Sequence, residues 1–173
     1  MAVSEEHSTA QVRLASTDDV AELVPLNEGL FVEDAGTRDP FTVKGFDSRD
    51  YFSELIADGS RNVVWAADVG GAVVGYVVGR FKDSGDLRSV STAVLESMFV
   101  HPDHRNARVG TALVEAFLRW AQELGAGSAV VTAYAENAGA IRFYERFGWR
   151  PKHVTFDMAV SGRGGSTDGI IQV

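Results

Sequence analysis

The sequence predicts a single α/β domain, and three stretches carry that prediction. Two β-prone runs, 62–69 and 72–81, are joined by a pair of glycines, which is a strong hairpin signal. A third β-prone run, 94–100, turns sharply into a long amphipathic helix. A strand, a helix and a further strand follow between residues 128 and 160. This order favours one sheet with helices covering both of its faces.

The first third of the chain predicts one short strand and two helices. Residues 1–10 are polar and small, so we expect them to be flexible, and 12–14 predict a strand. A helix begins at Ser16 or Thr17, has an apolar face and ends near Gly29. From 30 to 47 no periodicity remains, which predicts a long loop of the kind that is usually functional or disordered. Residues 48–57 predict the second helix.

The last third of the chain predicts two strands separated by a helix. Residues 128–134 are typical of a buried strand, 137–147 of a helix that ends at a glycine, and 154–160 of a last strand. Residues 161–173 are rich in glycine and serine and predict a flexible tail. We therefore expect one domain over residues 11–160.

Composition excludes several classes of function. The chain has 173 residues, a formal charge of −8 and no cysteine, so disulfides, thiolate metal sites and cysteine nucleophiles are all excluded. The acidic balance argues against nucleic-acid binding and mildly favours cationic small molecules. The sequence contains no apolar run of about 20 residues, as a membrane helix needs, and no secretion signal at its start. We expect a cytoplasmic protein with no membrane partner and no metal.

The turn between the third strand and the long helix predicts a site for phosphate. The first N–H groups of a helix lack partners within the helix, and the aligned peptide dipoles attract anions to that end. Arg105 and Arg108 add two cations, although cations at that end oppose the helix dipole. Gly110 lies one turn into the helix, where a glycine costs about 1 kcal/mol relative to alanine, which indicates that a ligand approaches the backbone closely.

Two motifs resemble the GNAT superfamily of acetyl-CoA-dependent N-acetyltransferases. They are LESMFVHPDHRNARVGTALVEAF, starting at Leu95, and NAGAIRFYERFGWRP, starting at Asn137. The resemblance covers roughly residues 11–160. It implies a mixed, mainly antiparallel central sheet flanked by helices, with acetyl-CoA as co-substrate. One departure is that the family usually carries glycine where this chain has Arg108, and often where it has Asn106.

The resemblance implies a role for each candidate residue. Tyr144 would donate a proton to the leaving thiolate, Glu96 would accept one from the amine, and Glu33 and Asp34 would help to bind the acceptor. Cofactor binding would fall to the strand backbone, the helix start and the later helix, namely to Met98, Phe99, Val100, Arg105, Arg108, Val109, Gly110, Thr111, Ala112, Asn137 and Tyr144.

Each of these roles has a structural alternative. Asn137 is also a favoured helix cap, and Tyr144 lies on an apolar helix face as a core aromatic would. Glu96 could simply face solvent, and the acidic residues of the long loop, which include Asp39, could simply be solvated. The histidines of the loop, His101 and His104, lack a third metal ligand, so we expect surface roles for them.

The resemblance implies transfer of an acetyl group from acetyl-CoA to a primary amine by direct attack. The acceptor stays open among small cationic amines, antibiotics and protein amines. A non-catalytic acyl-CoA-binding or sensor domain is the alternative, and a homodimer is open as well. A nucleotide-triphosphate binder is disfavoured because no Lys-Ser/Thr pair follows the glycine.

Overall fold

The core of the protein is a five-stranded sheet in the order β1-β2-β3-β4-β5. The computed structural model describes residues 10–39, 41–43, 45–85 and 88–160, so the expectations for 1–9 and for 161–173 lie outside the described residues. Neighbouring strands are antiparallel except β4 and β5, which confirms the mixed, mainly antiparallel sheet. The strands are β1 (Gln11–Leu14), β2 (Asn62–Val69), β3 (Ala72–Lys82), β4 (Thr92–Val100) and β5 (Ser128–Val131).

Helices cover both faces of this sheet, as expected. The helices are α1 (Val20–Leu30), α2 (Arg49–Ala57), α3 (Val109–Glu123) and α4 (Ala138–Glu145). The apolar stripe of α3 packs on one face, where Leu113 and Phe117 are fully buried. The first two helices pack on the other face around Leu23 and Phe52. Within the described ranges, no helix is both long and apolar enough to cross a membrane.

The predicted hairpin is confirmed. Gly70 and Gly71 connect β2 to β3 with φ angles of 64° and 89°. Two consecutive positive φ values are typical of the tight turns that match the twist of a hairpin, and glycine adopts them without steric cost. The Asp68 carboxylate accepts a hydrogen bond of 2.8 Å from the Gly71 N–H, which holds the turn.

A buried ion pair fixes the start of the first helix to β1. The Asp19 carboxylate accepts two hydrogen bonds of 2.8 Å from the Arg13 guanidinium and one of 2.7 Å from the Ser16 N–H. These donors, Arg13 foremost, lower the pKa of Asp19 to about 2. The helix signal at Ser16 is therefore correct, with a 3₁₀ turn over Thr17–Asp19 leading into α1.

The α-helix α1 ends at Leu30, close to the predicted end at Gly29, but the loop predicted from residue 30 is wrong in its first half. The helix runs through Gly29 and continues as a π-helical turn over Phe31–Ala35 and a last helical turn over Gly36–Arg38. Gly29 serves packing, since a Cβ there would lie 2.9 Å from the Phe99 ring. The loop predicted over 30–47 therefore begins only after Arg38. The sequence suggested an earlier start because a glycine required by a neighbouring ring resembles a helix stop.

The predicted last strand, 154–160, is also wrong. Residues 151–160 form neither helix nor strand, and the side chains of Val154, Phe156, Met158 and Val160 are 77–93% exposed. Alternation of apolar residues specifies which side chains share a face, but it does not specify which strand edge supplies the hydrogen bonds.

Close packing of α3 on the sheet depends on a glycine in β3. A Cβ at Gly79 would lie 2.9 Å from the Trp120 ring, 2.9 Å from Val63 and 3.0 Å from the Phe117 ring. These distances are shorter than van der Waals contact, so the two rings of α3 rest directly on the backbone of β3. A side chain at this position would push the helix away from the sheet.

Replacing Gly79 with alanine should therefore destabilise the fold. We expect Gly79→Ala to lower the free energy of unfolding by about 1–3 kcal/mol, because an extra methyl group overpacks this contact. Gly59→Ala is the matched control, because nothing lies within 4 Å of a Cβ there. Urea denaturation of both variants checks the prediction, and equal stabilities would contradict it.

Candidate active site

A cleft opens where β4 and β5 separate. The two strands pair in parallel only over residues 92–95 and 128–131. Beyond these pairs they diverge around a cleft of about 860 Å³, which the start of α3, the inner side of α4 and the π-helical turn also line. The strand predicted over 128–134 ends early for the same reason, because its last residues have no neighbouring edge to pair with.

A β-bulge at Glu96 marks the point of divergence. Gly79 pairs with Leu95 and Val78 pairs with Ser97, so Glu96 is an extra residue on β4. A bulge bends its strand and increases the local twist, which turns the second half of β4 away from β5. The sequence therefore produces the cleft through one additional residue in a strand.

The outer edge of β4 presents backbone groups to the cleft. The His101 N–H donates to the Val74 carbonyl at 2.9 Å. In an antiparallel ladder alternate residues share this role, so Phe99 also bonds toward β3, whereas Met98 and Val100 direct their N–H and C=O groups to the opposite edge. Of the three residues predicted to offer backbone groups to a ligand, Met98 can offer both groups and Val100 its N–H, since the Val100 carbonyl accepts from Arg105, whereas Phe99 can offer neither.

The start of α3 lacks a cap. Neither a backbone nor a side-chain acceptor within the described residues receives the N–H groups of Val109, Gly110 and Thr111. The predicted fourth donor, Ala112, is not free, since its N–H bonds to the Arg108 carbonyl at 3.0 Å. Three unpartnered donors at the positive end of a helix dipole attract an anion such as phosphate.

The turn before α3 contains two residues in the left-handed region. Asn106 and Arg108 both have φ near 63°. At these two positions the family that the sequence motifs resemble often or usually carries glycine. Asparagine tolerates this conformation, but for arginine it costs roughly 1–2 kcal/mol. The turn thus keeps the backbone path that glycine would allow, at the cost of local strain.

The glycine inside the first turn of α3 is not required by packing. A Cβ at Gly110 would lie 3.4 Å from the Phe143 ring and 3.9 Å from a Val100 methyl group, which are ordinary contact distances. Alanine would therefore fit the protein. Packing within the protein therefore does not account for the glycine, and the cofactor role of this position stays a prediction.

Arg105 is held firmly at the mouth of the cleft. Its Nε donates to the Val100 carbonyl at 2.9 Å, and its guanidinium lies over the Phe99 ring at 5.3 Å from the ring centre. Its Nη2 forms an ion pair of 2.7 Å with Glu33. The first two contacts hold the guanidinium in place, and Glu33 occupies one of its two outer nitrogens.

Asn137 begins α4 and reaches across the cleft. Its side-chain carbonyl accepts a hydrogen bond of 3.0 Å from the Ala140 N–H, so the alternative interpretation as a helix cap is correct. Its side-chain nitrogen donates to Asp34 at 2.9 Å. One of the two hydrogens of this amide is thus bonded to Asp34, and the other has no partner within the described residues.

Tyr144 lines the same cleft from the middle of α4. Burial, and secondarily the charge of Asp34, raises the pKa of Tyr144 to about 12. Its hydroxyl makes no hydrogen bond within the described part of the chain. A phenol with this pKa keeps its proton near neutral pH and can give it to a thiolate.

Glu96 lines the cleft but is not a free carboxylate. One oxygen accepts a hydrogen bond of 2.8 Å from the Tyr51 hydroxyl, and the other forms an ion pair with Arg80. Burial, followed by the interaction with Glu96, raises the pKa of Tyr51 to about 12, so this donor stays protonated. Glu96 therefore faces the cleft, as a base would, with its orientation fixed by two partners that the sequence did not indicate.

The two acidic residues of the π-helical turn line the part of the cleft that also contains the residues predicted to bind the cofactor. Glu33 contacts Arg105, and Asp34 accepts hydrogen bonds from Asn137 and, at 2.6 Å, from Arg38. Asp39 lies outside the cleft and accepts the N–H of the turn that follows it. Glu33 and Asp34, which were predicted to bind the acceptor, thus lie close together. The residues they contact, however, are ones predicted to bind the cofactor.

The sequence profile of the Acetyltransferase (GNAT) family matches residues 30–149. The chain belongs to this family. It is 31% identical over 107 residues to an N-acetyltransferase of Methanocaldococcus jannaschii, MJ1207, in an alignment that covers 62% of this chain and 47% of the relative. The GNAT chain thus spans about half the length of the curated relative it matches.

Solved structures share the GNAT fold. A mutant of the BH1408 protein from Bacillus halodurans has a TM-score of 0.79 at 17% identity, covering 87% of this chain and 99% of its own. A ribosomal-protein-alanine N-acetyltransferase from Brucella melitensis has a TM-score of 0.67 at 18% identity, with coverages of 87% and 99%. An aminoglycoside N-acetyltransferase, AAC(6')-Iy, in complex with CoA has a TM-score of 0.72 at 18% identity, with coverages of 91% and 99%.

Further cations line the cleft of this GNAT protein and were missed from the sequence. Arg142 and Arg146 follow each other at four-residue spacing on α4, and Arg38 closes the π-helical turn. The spacing on α4 was visible in the sequence, but it resembles the solvated side of an amphipathic helix. Together with Arg105 and Arg108 they give the cleft five arginines, which suits a ligand with several phosphates.

Relief of strain at Arg108 should stabilise the protein. Glycine removes the left-handed penalty of about 1–2 kcal/mol but makes the unfolded chain more flexible. We expect Arg108→Gly to raise the free energy of unfolding by about 0.5–1 kcal/mol in urea denaturation.

The matched control is the same substitution at an arginine whose backbone has ordinary right-handed helical angles. Arg119 is exposed in the middle of α3, and Arg119→Gly should lower the free energy of unfolding by about 1 kcal/mol. If both substitutions destabilise the protein equally, the turn before α3 is not strained at Arg108.

Proposed function

We propose that this protein transfers the acetyl group of acetyl-CoA to a primary amine by direct attack. The observation that carries the proposal is the uncapped start of α3, where three free N–H groups and two left-handed residues face the cleft. A backbone that accepts strain and leaves donors unpaired indicates a ligand of high negative charge. Membership of the GNAT family makes the pyrophosphate of acetyl-CoA the fitting ligand.

The residues present fit this co-substrate. Arg105 and Arg108 flank the N–H groups of Val109, Gly110 and Thr111, which would together hold the pyrophosphate. Arginines on α4 offer further positive charge for the remaining phosphate. The free edge of β4 would bind the amide groups of the pantetheine arm as a neighbouring strand does, through Met98 and Val100.

Acetyl-CoA supplies a thioester, whose carbonyl carbon is open to attack by an amine nitrogen. The outward N–H groups of β4 would stabilise the negative charge that develops on the carbonyl oxygen, which is usually the largest contribution in acyl transfer. Since the chain contains no cysteine, the cysteine route to an acyl-enzyme is absent, which supports direct transfer.

Two side chains of the cleft would move the protons. Glu96, held by Tyr51 and Arg80, would accept the proton that the amine loses, directly or through water. Tyr144 would give its proton to the departing sulfur of CoA. The two transfers balance, because the amine loses one proton and the thiolate gains one.

The acceptor that suits the cleft best is a small cationic amine. Glu33, Asp34 and Glu96 are carboxylates of the cleft that could bind an ammonium group once the arginine paired with each of them is released, and the whole chain carries a formal charge of −8. Among the proteins of similar fold, one is named for aminoglycosides and another for a ribosomal protein's alanine. An amine panel for this protein should therefore include both classes as well as simple polyamines.

A non-catalytic acyl-CoA sensor is the second candidate. The contacts of Glu96 favour it, since both oxygens of this carboxylate already have partners, Arg80 and Tyr51. Turnover distinguishes the two, because both functions require binding of acetyl-CoA and only one releases free CoA.

The test is release of CoA thiol from acetyl-CoA in the presence of the amine panel. We expect turnover with at least one cationic amine and a fall in kcat of about 10²–10⁴-fold in Tyr144→Phe, with little change in the KM for acetyl-CoA. Because the pKa of Tyr144 is raised to about 12, any change of kcat with pH between 6 and 9 should persist in this variant.

Tyr134→Phe is the matched control, since this exposed tyrosine lies outside the cleft and should leave kcat unchanged. Binding of acetyl-CoA without turnover for any amine would favour the sensor. Normal kcat in Tyr144→Phe would remove this residue from the mechanism.

A further inference from the structure

We propose that Glu33 occupies the place of a cofactor phosphate on Arg105 in the free protein, so that acetyl-CoA binds by displacing this carboxylate. The inference rests on the proposed function. It assigns Glu33 a role as an internal competitor of the cofactor, and it makes the released carboxylate a binding group for the acceptor amine.

The geometry of the ion pair supports competition. Glu33 Oε2 lies 2.7 Å from Arg105 Nη2, and the two side chains are 42% and 41% exposed. A half-exposed pair of this kind contributes only about 0–1 kcal/mol, because water solvates both ions well. A phosphate carries more charge and can accept two parallel hydrogen bonds from a guanidinium, so it replaces the carboxylate favourably.

Arg105 stays in place when the pair opens. Its Nε bonds to the Val100 carbonyl, and its planar group stacks over Phe99, neither of which depends on Glu33. Within the described residues, the Glu33 side chain makes no hydrogen bond or ion pair other than the one with Arg105. Displacement therefore requires only that the Glu33 side chain rotates away, while the phosphate-binding cation is already oriented.

The backbone that carries Glu33 is held independently of Arg105. Arg38 Nη1 donates to the Glu33 carbonyl oxygen at 2.9 Å and to the Asp34 carboxylate at 2.6 Å. The π-helical turn thus keeps its shape when the ion pair opens. The freed carboxylate remains beside Asp34 in the cleft, and because Asp34 stays paired with Arg38, Glu33 supplies the unpaired negative charge that would attract an ammonium group.

This arrangement couples the two substrates. Before the cofactor binds, Arg105 neutralises the charge of Glu33, so the cleft attracts a cationic amine only weakly. After the cofactor binds, Glu33 is free to pair with the amine. The amine should therefore bind better to the protein that already holds CoA, and the coupling between the two ligands must be reciprocal.

Calorimetric titration of CoA into four proteins tests the competition. We expect Glu33→Gln to bind CoA about two- to five-fold more tightly than the wild type, since the competing pair contributes about 0.4–1 kcal/mol. Glu33→Asp should also bind CoA more tightly, because the shorter side chain keeps the charge but loses its reach to Arg105. Glu28→Gln, an exposed acid on α1, should leave the dissociation constant unchanged and controls for the loss of one negative charge.

Steady-state kinetics supply the second readout. Glu33→Gln should raise the KM for the amine while it lowers the dissociation constant of CoA, and a purely structural role would weaken both. Wild-type affinity for CoA in both Glu33 variants, or equal tightening in Glu28→Gln, would overturn the inference alone. Absence of CoA binding in all four proteins would overturn the proposed function together with it.

Discussion

The divergence of β4 from β5 is the constraint on which the rest of the site depends. Two parallel strands that stayed paired would satisfy each other's backbone groups and leave no room between them. One extra residue, Glu96, interrupts the register, and beyond it the edge of β4 has no neighbouring strand on that side among the described residues. Because unpaired backbone groups are costly to bury away from water, this edge is suited to a ligand that forms hydrogen bonds as a strand does.

Strain and unpaired donors accumulate at the same end of the cleft. The left-handed residues Asn106 and Arg108 steer the chain from β4 into α3, and the helix begins with three free N–H groups. Such features persist only where the surrounding structure fixes them, here the contact of α3 with the sheet across Gly79. The packed core thus maintains a turn that would not hold its shape alone.

The sequence predicts those parts of the fold and site that local chemistry determines. The glycine pair of the hairpin, the apolar stripe of α3 and the cationic turn before it were all apparent, because each depends on neighbours in the chain. The continuation of α1 past Gly29 was not, since that glycine accommodates Phe99 from a distant strand. Likewise the partners of Glu96 and Glu33 come from 16 to 72 residues away, and no local pattern encodes such contacts.

The most direct measurement is a pair of calorimetric titrations, with acetyl-CoA and with S-acetylpantetheine, into the wild type and into the Arg105→Ala/Arg108→Ala double variant. Pyrophosphate binding at the start of α3 predicts that the double variant loses affinity for acetyl-CoA by at least about 10-fold, while its affinity for acetylpantetheine, which lacks the pyrophosphate, is unchanged. Equal losses for both ligands, or no loss for acetyl-CoA, would contradict the assignment of this turn as the phosphate site.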